Sequence, residues 1–286
     1  MNKIGLVLEG GGMRGAYTAG ALAWLIDNNI DFDYGVGISS GAVHICSYFL
    51  KNSEYLYDIG VTYPADKRNV GIIPLIKEGR YVGYGFMFDY LLKEKVKYNI
   101  KALKQKNINV EVGLYDLELG KTFFEKVDNL DDDLKMLKAT CTLPIAGKTV
   151  EYNGRKLLDA GIEVMIPYER SVLNNNSKHF VIVTKPEGYV RKQAGSFMKW
   201  LMKVNYPKYP IMQKQYANRH LAYNDQMSKI EDGVNKGNTY LVRPSINIPV
   251  KRFSGDIKSL DKLYKLGYSD MEKQKENILK FIKEVN

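Results

Sequence analysis

The amino-acid sequence predicts an α/β protein with a mainly parallel central sheet flanked by helices, followed by a mostly helical C-terminal region. Residues 3–8 form a short apolar run without polar alternation, which is typical of a strand buried on both faces of a parallel sheet. A helical pattern follows over 14–28, and a second strand–turn–helix unit follows over 34–51. Two such units in succession predict parallel strands joined by helices.

The rest of the chain alternates similar elements before it becomes helical. Asn153-Gly154 is a strong turn signal between two β-type runs, so a hairpin is predicted there. Residues 52–100 contain glycines and prolines that indicate loops with short helices, in a position to cover a site. The other predicted elements are strands at 109–116, 121–127, 149–152, 155–158, 179–184 and 239–242, a helix at 131–141, and one long or two shorter helices over 260–285.

Length and composition indicate a folded protein with one large domain. The 286 residues suffice for an α/β domain, expected over 1–190, with a mostly helical and basic region over 191–286. Hydrophobic residues make up 45% and charged residues 26% of the chain, which is ordinary for a folded soluble protein. No apolar run approaches about 18 residues, and the N-terminal run is interrupted by Glu9. We therefore expect neither a membrane-spanning helix nor a signal peptide, and a cytoplasmic location.

Cysteines and histidines are few and widely spaced. Cys46 and Cys141 lack the spacing of a zinc site or of a disulfide framework, and no two of the three histidines stand at metal-ligand spacing. The cysteines are expected to be small core residues. We expect no metal and no cofactor.

The segment Gly37-Ile38-Ser39-Ser40-Gly41 is a G-x-S-x-G pattern between a predicted strand and a predicted helix. A sharp turn at such a junction exposes the serine hydroxyl, and the flanking Gly37 and Gly41 let backbone segments pass closely. The helix that follows directs its N-terminal amides toward developing negative charge. Ser39 is therefore a candidate nucleophile, although a glycine-rich turn with a capping serine would give the same short pattern.

A second glycine-rich segment, Gly10-Gly11-Gly12-Met13-Arg14-Gly15, lies between the first strand and the first helix. Consecutive glycines can turn several backbone N–H groups toward one point, which makes an anion-binding loop such as an oxyanion hole. The same residues spell G-x-G-x-x-G, the dinucleotide fingerprint, with Asp31 or Asp33 as the acidic residue that follows. Both interpretations, and a simple tight turn, stay open on this pattern alone.

A third candidate is Asp159, in Leu157-Leu158-Asp159-Ala160-Gly161. An acidic residue at the end of a strand and before a glycine can face a cleft, but a turn aspartate is common.

Taken together, these segments resemble the patatin-like phospholipases, a family of serine–aspartate lipid acyl hydrolases. The glycine-rich loop is similar to the family's G-G-G-x-[KR]-G, and the elbow to its G-x-S-x-G. Residues 139–144, Ala-Thr-Cys-Thr-Leu-Pro, are similar to its A-[ST]-x-[ST]-x-P block, and Asp159-Ala160-Gly161 resembles its D-G-[GA] motif. Ala160 replaces the family's glycine and would be strained if that position requires a positive φ. The resemblance covers about residues 3–185.

The resemblance implies a patatin-like three-layer sandwich over 1–190 and hydrolysis of lipid carboxylic esters. Ser39 would be the nucleophile and Asp159 the general base, with no histidine between them. Backbone amides of Gly11, Gly12 and Met13, within the loop from Gly10 to Gly15, would form the oxyanion hole. Arg14 would fix this loop or meet an anionic head group, or else would be a solvated residue at the helix start.

The histidines offer an alternative base. A Ser-His-Asp hydrolase of the α/β type places its histidine after the acid, an order that only His179 and His220 satisfy. We expect His179 to be structural, His220 to be exposed, and His44 to be a packed or partly exposed helix residue, with a position lining the pocket as the alternative for His44.

Positive charge concentrates late in the chain. The net charge is +10, and eight basic residues with a single acid, Glu187, lie between Lys185 and Arg219. Around 196–210 the lysines alternate with aromatic and apolar residues, as in interfacial helices, although a core helix with a solvated lysine face looks similar. We expect a lipid or ester substrate and peripheral contact of the 185–219 stretch with anionic membranes, and no specific nucleic acid. The alternatives are a non-catalytic membrane-surface module and a Rossmann-type dinucleotide-binding protein.

Overall fold

Eight strands form one sheet in the computed structural model, which describes residues 3–106 and 108–283. The order across the sheet is β5-β6-β3-β2-β1-β7-β8, with β4 pairing on β3. Strands β1, β2, β3, β7 and β8 are mutually parallel, and β4 and β6 run antiparallel to β3. The strands are β1 (Ile4–Leu8), β2 (Tyr34–Ile38), β3 (Val110–Asp116), β4 (Lys121–Lys126), β5 (Val150–Tyr152), β6 (Arg155–Asp159), β7 (Lys178–Ile182) and β8 (Thr239–Val242).

Strand β3 carries two different partners along one of its edges. Strand β2 pairs with residues 110–113 of β3, β6 pairs with 114–116, and β4 pairs with 111–116. Because β4 overlaps with both of the others, it occupies the opposite edge, and β2 and β6 share the same edge one after the other. The end of β2 and the end of β6 therefore meet at the middle of β3.

Helices cover both faces of the sheet, since side chains of β1 alternate between two cores. Leu6 and Leu8 pack among α1, α2 and α10, whereas Val7 packs with residues of α7 and α9. The helices are α1 (Gly15–Asp27), α2 (Ser40–Phe49), α3 (Ser53–Tyr57), α4 (Ile72–Glu78), α5 (Ile100–Lys104), α6 (Lys135–Cys141), α7 (Tyr168–Leu173), α8 (Ser196–Asn205), α9 (Pro210–Asn235), α10 (Ile257–Lys273) and α11 (Lys275–Lys283); 3-10 turns span Gly12–Arg14, Val127–Asn129 and Ala160–Ile162, and π-helical segments span Asp58–Thr62 and Gly85–Lys95.

The C-terminal region packs directly on the N-terminal elements. Strand β8 extends the sheet beside β7, and α10 crosses α1 so closely that a Cβ at Gly267 would lie 2.1 Å from the Tyr17 carbonyl oxygen. The Tyr17 hydroxyl donates to Asp270 Oδ2 (3.1 Å), and Trp24 Nε1 donates to Glu272 Oε2 (2.6 Å). The boundary that the sequence predicts near residue 190 stays a prediction.

The structure confirms the predicted fold class, with small shifts at element ends. The predicted helix at 131–141 is wrong at its start: α6 begins at Lys135, because Leu134 adopts a φ of 61° and the Asp131 carboxylate accepts from the Lys135 and Met136 amides. The predicted terminal helix is two helices, and its last residues, 284–285, lie outside the described part of the chain. Within residues 3–106 and 108–283, no helix combines the length and apolarity needed to cross a bilayer.

Candidate active site

Ser39 occupies a strained turn between β2 and α2. Its φ of 56° and ψ of −130° lie in a region that L-residues rarely adopt, and such strain is concentrated at functional sites. Glycine is required on both sides of the turn: a Cβ at Gly37 would meet the Gly41 carbonyl oxygen at 2.4 Å, and a Cβ at Gly41 would meet the Glu9 carbonyl oxygen at 2.8 Å. The turn holds the Ser39 side chain in place at the start of α2, and 8% of the residue is exposed.

Asp159 is the last residue of β6 and lies beside Ser39. On β3, Ile38 pairs with Gly113 and Asp159 pairs with the next residue, Leu114, so the register brings the two chain ends together. The Asp159 carboxylate lies close enough to the Ser39 side chain for the serine to stabilise its charged form. Its Oδ1 accepts a hydrogen bond from the Gly161 amide at 2.7 Å. Asp159 is 1% exposed.

The Ala139–Pro144 block links the two residues through its threonines. Thr140 Oγ1 accepts from the Ser39 amide (3.2 Å) and donates to the Gly113 carbonyl (2.6 Å), whereas the Thr142 carbonyl accepts from the Asp159 amide (2.9 Å). The sequence pattern contained both threonines without indicating these positioning roles.

The Asp159 carboxyl is a stronger base than an ordinary aspartate. Burial disfavours its charged form and raises the pKa above the usual 3.8, while the neighbouring Ser39 side chain, the bond from the Gly161 amide and the charges of Arg252 and Arg219 partly lower it. A carboxylate with a raised pKa is better suited to accept a proton near neutral pH.

Most amides of the glycine-rich loop already have acceptors. Gly10 N–H donates to the Met165 carbonyl (3.0 Å), Gly11 N–H to Ser40 Oγ (3.0 Å), and Met13 N–H to the Arg252 carbonyl (3.1 Å). Gly12 has a φ of 57°, and its N–H has no acceptor among residues 3–106 and 108–283. Of residues 10–13, Gly12 is therefore the amide that is available to a ligand.

Two cavities meet at Ser39. The apolar cavity encloses about 730 Å³ when the adjoining space that is open to solvent is included. The polar cavity encloses about 250 Å³. Residues lining the apolar cavity include Val43, Ile59, Val82, Phe88 and Leu92, and residues lining the polar cavity include Gly10, Asp159, Gly161, Met165, Arg219 and Arg252.

A family model described as patatin-like phospholipase matches residues 6–172, which is more than half of the chain. The chain belongs to the patatin-like phospholipase family. A second model, a domain of unknown function (DUF6363), matches residues 209–283.

Two further proteins are similar to this patatin-like chain. The uncharacterized protein YjjU of Escherichia coli (strain K12) is 23% identical over 198 residues, which covers 64% of this chain and 52% of YjjU. The chain thus spans about half the length of this relative. The crystal structure of VipD from Legionella pneumophila superposes with a TM-score of 0.44 at 11% identity, covering 94% of this chain and 67% of VipD.

Membership of the patatin-like family leaves the dinucleotide interpretation without support. The positions of Asp31 and Asp33, the acidic residues that this interpretation requires, also argue against it. Asp31 and Asp33 precede β2, so they lie at the end of that strand opposite to Ser39 and the glycine-rich loop. Asp33 accepts from the Ile4 amide (3.1 Å), and Asp31 pairs with Lys51. A Rossmann site needs its acidic residue at the carboxyl end of the second strand.

The histidines lie apart from the Ser39–Asp159 pair, with one exception. His179 is at the beginning of β7, opposite Gly5 at the beginning of β1, and bonds Ser171; burial lowers its pKa to about 4. His220 is half-buried on α9 and lines neither of the two cavities at Ser39. His44 is packed on its helix, as expected, and it also lines the apolar cavity, which was the alternative left open for it. Burial lowers its pKa to about 4, so it is neutral.

Several residues differ from their expected place or were missed. Arg14 lies away from the Ser39 cavities and lines a separate one with Thr184 and Lys185. Gly15 packs against α2, since a Cβ there would meet His44 Nε2 at 2.9 Å. Ala160 has no positive φ, so the replacement of the family's glycine introduces no strain of that kind.

Arg219 and Arg252 line the polar cavity, and isolated arginines in a basic region gave no sequence signal for this role. In the described part of the chain, no group of three His, Cys, Asp or Glu residues is placed to hold a metal.

Proposed function

We propose that this protein is a serine acyl hydrolase that cleaves carboxylic ester bonds of lipids through a Ser39–Asp159 dyad. The observation that supports the proposal most is that Ser39, at a strained turn, and the buried Asp159 carboxylate lie side by side in one cavity, with a second, apolar cavity adjoining Ser39. A serine hydroxyl is a weak nucleophile until an adjacent base accepts its proton, and Asp159 is the base in contact with it.

In the first half of the reaction, Ser39 Oγ attacks the ester carbonyl carbon while its proton passes to Asp159. The oxyanion of the tetrahedral intermediate receives a hydrogen bond from the Gly12 N–H. The loop from Gly10 to Gly15 holds this amide because its neighbours are fixed to Met165, Ser40 and Arg252. A preorganised donor of this kind is worth ~10²–10³-fold in rate. The C–O bond then breaks, and the leaving alcohol takes the proton from Asp159.

In the second half, a water molecule attacks the acyl-enzyme. Asp159 accepts a proton from the water, the tetrahedral intermediate collapses, and the proton returns to Ser39 Oγ as the fatty acid leaves. The apolar cavity adjoins Ser39 and is lined by aliphatic and aromatic side chains, so it is suited to the acyl chain.

We further propose that the 185–219 stretch contacts the surface of anionic membranes. Helix α8 within this stretch exposes Phe197 (69%), Trp200 (56%) and Val204 (56%). Lys199 and Lys203 lie on the same helix, so aromatic side chains at head-group depth are combined with cations for lipid phosphates.

The dyad is tested with a soluble ester and a covalent probe. We expect hydrolysis of p-nitrophenyl butyrate, loss of it in Ser39→Ala and in Asp159→Asn, and fluorophosphonate labelling that maps to Ser39 by mass spectrometry. Matched variants at exposed positions, Ser196→Ala and Asp225→Asn, keep the wild-type rate, as does His220→Ala. Labelling of another residue, or hydrolysis that survives Ser39→Ala, would refute the proposal. Salt-sensitive vesicle binding without any labelling would favour the non-catalytic membrane module.

A further inference from the structure

The polar cavity beside the dyad receives two arginines from the C-terminal region. Arg219 comes from α9, and Arg252 from the loop between β8 and α10. The cavity also contains Ser39 and Asp159, and the Arg252 carbonyl accepts from the Met13 amide in the glycine-rich loop. The segment that matches DUF6363 thus forms one wall of the candidate active site.

Arg219 is a buried guanidinium with unused hydrogen-bonding capacity. It is 5% exposed, and its Nη2 donates to the Gly161 carbonyl (2.6 Å) and lies 3.6 Å from the Met165 sulfur. Its Nε has no partner within residues 3–106 and 108–283. A buried arginine carries five donors and is costly without an anionic partner, so an anion in this cavity would satisfy the remaining donors.

Positive charge exceeds negative charge around this cavity. Burial, together with the charges of Arg252 and Arg191, lowers the pKa of Arg219 to about 9. Asp159 is the acid that lies in the cavity itself. The nearby Glu9 carboxylate is engaged by the Thr184 amide (2.5 Å) and hydroxyl (3.0 Å). The field in the cavity therefore favours an incoming anion.

We infer that Arg219 and Arg252 form a subsite for the phosphate group of an anionic lipid ester. The inference rests on the proposed hydrolysis and names the class of substrate. The apolar and polar cavities share Gly12, Ser39, Leu143 and Arg252. An ester carbonyl at Ser39 therefore directs its acyl chain into one cavity and its alcohol part into the other. An alcohol part that carries a phosphate a few bonds from the ester, as in an acylated glycerol phosphate, places that phosphate against the two guanidinium groups.

Binding to the Ser39→Ala protein tests the subsite without any catalysis. Isothermal titration compares 1-decanoylglycerol 3-phosphate with 1-decanoylglycerol, which differ only in the phosphate, and with glycerol 3-phosphate, which lacks the acyl chain. We expect the phosphate to tighten binding about tenfold or more, as charge-assisted bonds to two arginines would give. Arg252→Gln in the same background should remove most of this ratio. Arg243→Gln, an arginine of the same region outside the polar cavity, should keep it.

The outcomes separate this inference from the proposed function. Equal affinity for the phosphate and neutral lipids, or a ratio that Arg252→Gln leaves unchanged, would overturn the subsite. Glycerol 3-phosphate binding as tightly as the acylated form would overturn the assignment to a lipid phosphate. Because Arg219 is buried, Arg219→Lys is measured with a circular dichroism spectrum, and a smaller ratio with an intact fold supports its role. A phosphate preference in a protein that hydrolyses no ester would retain the subsite and refute the hydrolase. Ester hydrolysis without any preference for the phosphate would support the hydrolase and refute the subsite.

Discussion

At the scale of single residues, the folded protein buries the Asp159 carboxylate, and burial disfavours its charged form. The residue is 1% exposed, and burial is the largest cause of its raised pKa. We expect Asp159→Asn to lower kcat/KM for p-nitrophenyl butyrate by ~10²–10⁴-fold, the usual contribution of a general base. We also expect an unchanged or higher Tm, because an amide carries no charge to desolvate and its oxygen can still accept from Gly161. A clear fall in Tm by calorimetry would contradict this account.

The pH dependence follows from the same residue. In the proposed mechanism, activity requires ionised Asp159, so we expect activity to be lost as pH falls through the raised pKa, at a higher pH than an ordinary aspartate with a pKa of 3.8 would require. The charges of Arg252 and Arg219 lower this pKa, whereas the other side chains near Asp159, those of Ser39, Tyr84 and Cys141, are neutral. Arg252→Gln should therefore move the acidic limb of the kcat/KM profile to higher pH.

Through Asp159, a rise in pH has opposite effects on the stability of the fold and on the proposed activity. Because the folded-state pKa lies above the unfolded value, Asp159 stabilises the fold most at pH below both values, and this contribution is lost as pH rises through the folded-state pKa. An acidic limb that moves to lower pH in Arg252→Gln would show that the arginine does not act on Asp159.

At the scale of elements, the crossing of α1 and α10 allows no side chain at Gly267. A Cβ there would lie 2.1 Å from the Tyr17 carbonyl oxygen, so the helices must separate in Gly267→Ala. We expect the free energy of unfolding in urea to fall by about 1–3 kcal/mol. Gly195→Ala is the matched control, since open space surrounds Gly195 and its change should stay within about 0.5 kcal/mol. Equal effects of the two substitutions would show that the close approach is unimportant.

Helix α8 gives the membrane proposal its own test. Phe197 and Trp200 stack at 5.9 Å between ring centroids and are both exposed. The double change Phe197→Ser and Trp200→Ser should weaken binding to phosphatidylglycerol vesicles about tenfold or more in a flotation assay. Hydrolysis of p-nitrophenyl butyrate should not change. Leu221→Ser, at an isolated exposed residue of α9, controls for loss of apolar surface. Unchanged vesicle binding of the double variant would exclude α8 as the contact.

At the scale of the whole molecule, the sequence predicted the elements better than their meeting points. Strands β1 and β2, the Ser39 turn and the Asn153-Gly154 hairpin were readable because local patterns of apolar residues and glycines determine them. The start of α6 was not readable, because Asp131 caps it from a distance and Leu134 takes a left-handed conformation. Element ends depend on such specific contacts rather than on periodicity.

The residues of the candidate site were likewise predictable from the sequence only in part. Ser39, Asp159 and the glycine-rich loop follow from short motifs, whereas Arg219 and Arg252 reach the polar cavity only through tertiary packing of α9 and the loop before α10. No spacing in the chain relates these arginines to Ser39. His44 was placed on the correct helix, but only the packing of the π-helical segment Asp58–Thr62 reveals that it faces a cavity.

The sharing of one β3 edge by β2 and β6 has a consequence for how the chain can vary. Gly113 and Leu114 are adjacent residues, so one step of a central strand sets the backbone spacing of Ser39 and Asp159. Insertions between β4 and α6 should leave that spacing intact, whereas a shift of β6 by a single residue would turn the carboxylate to the other face of the sheet.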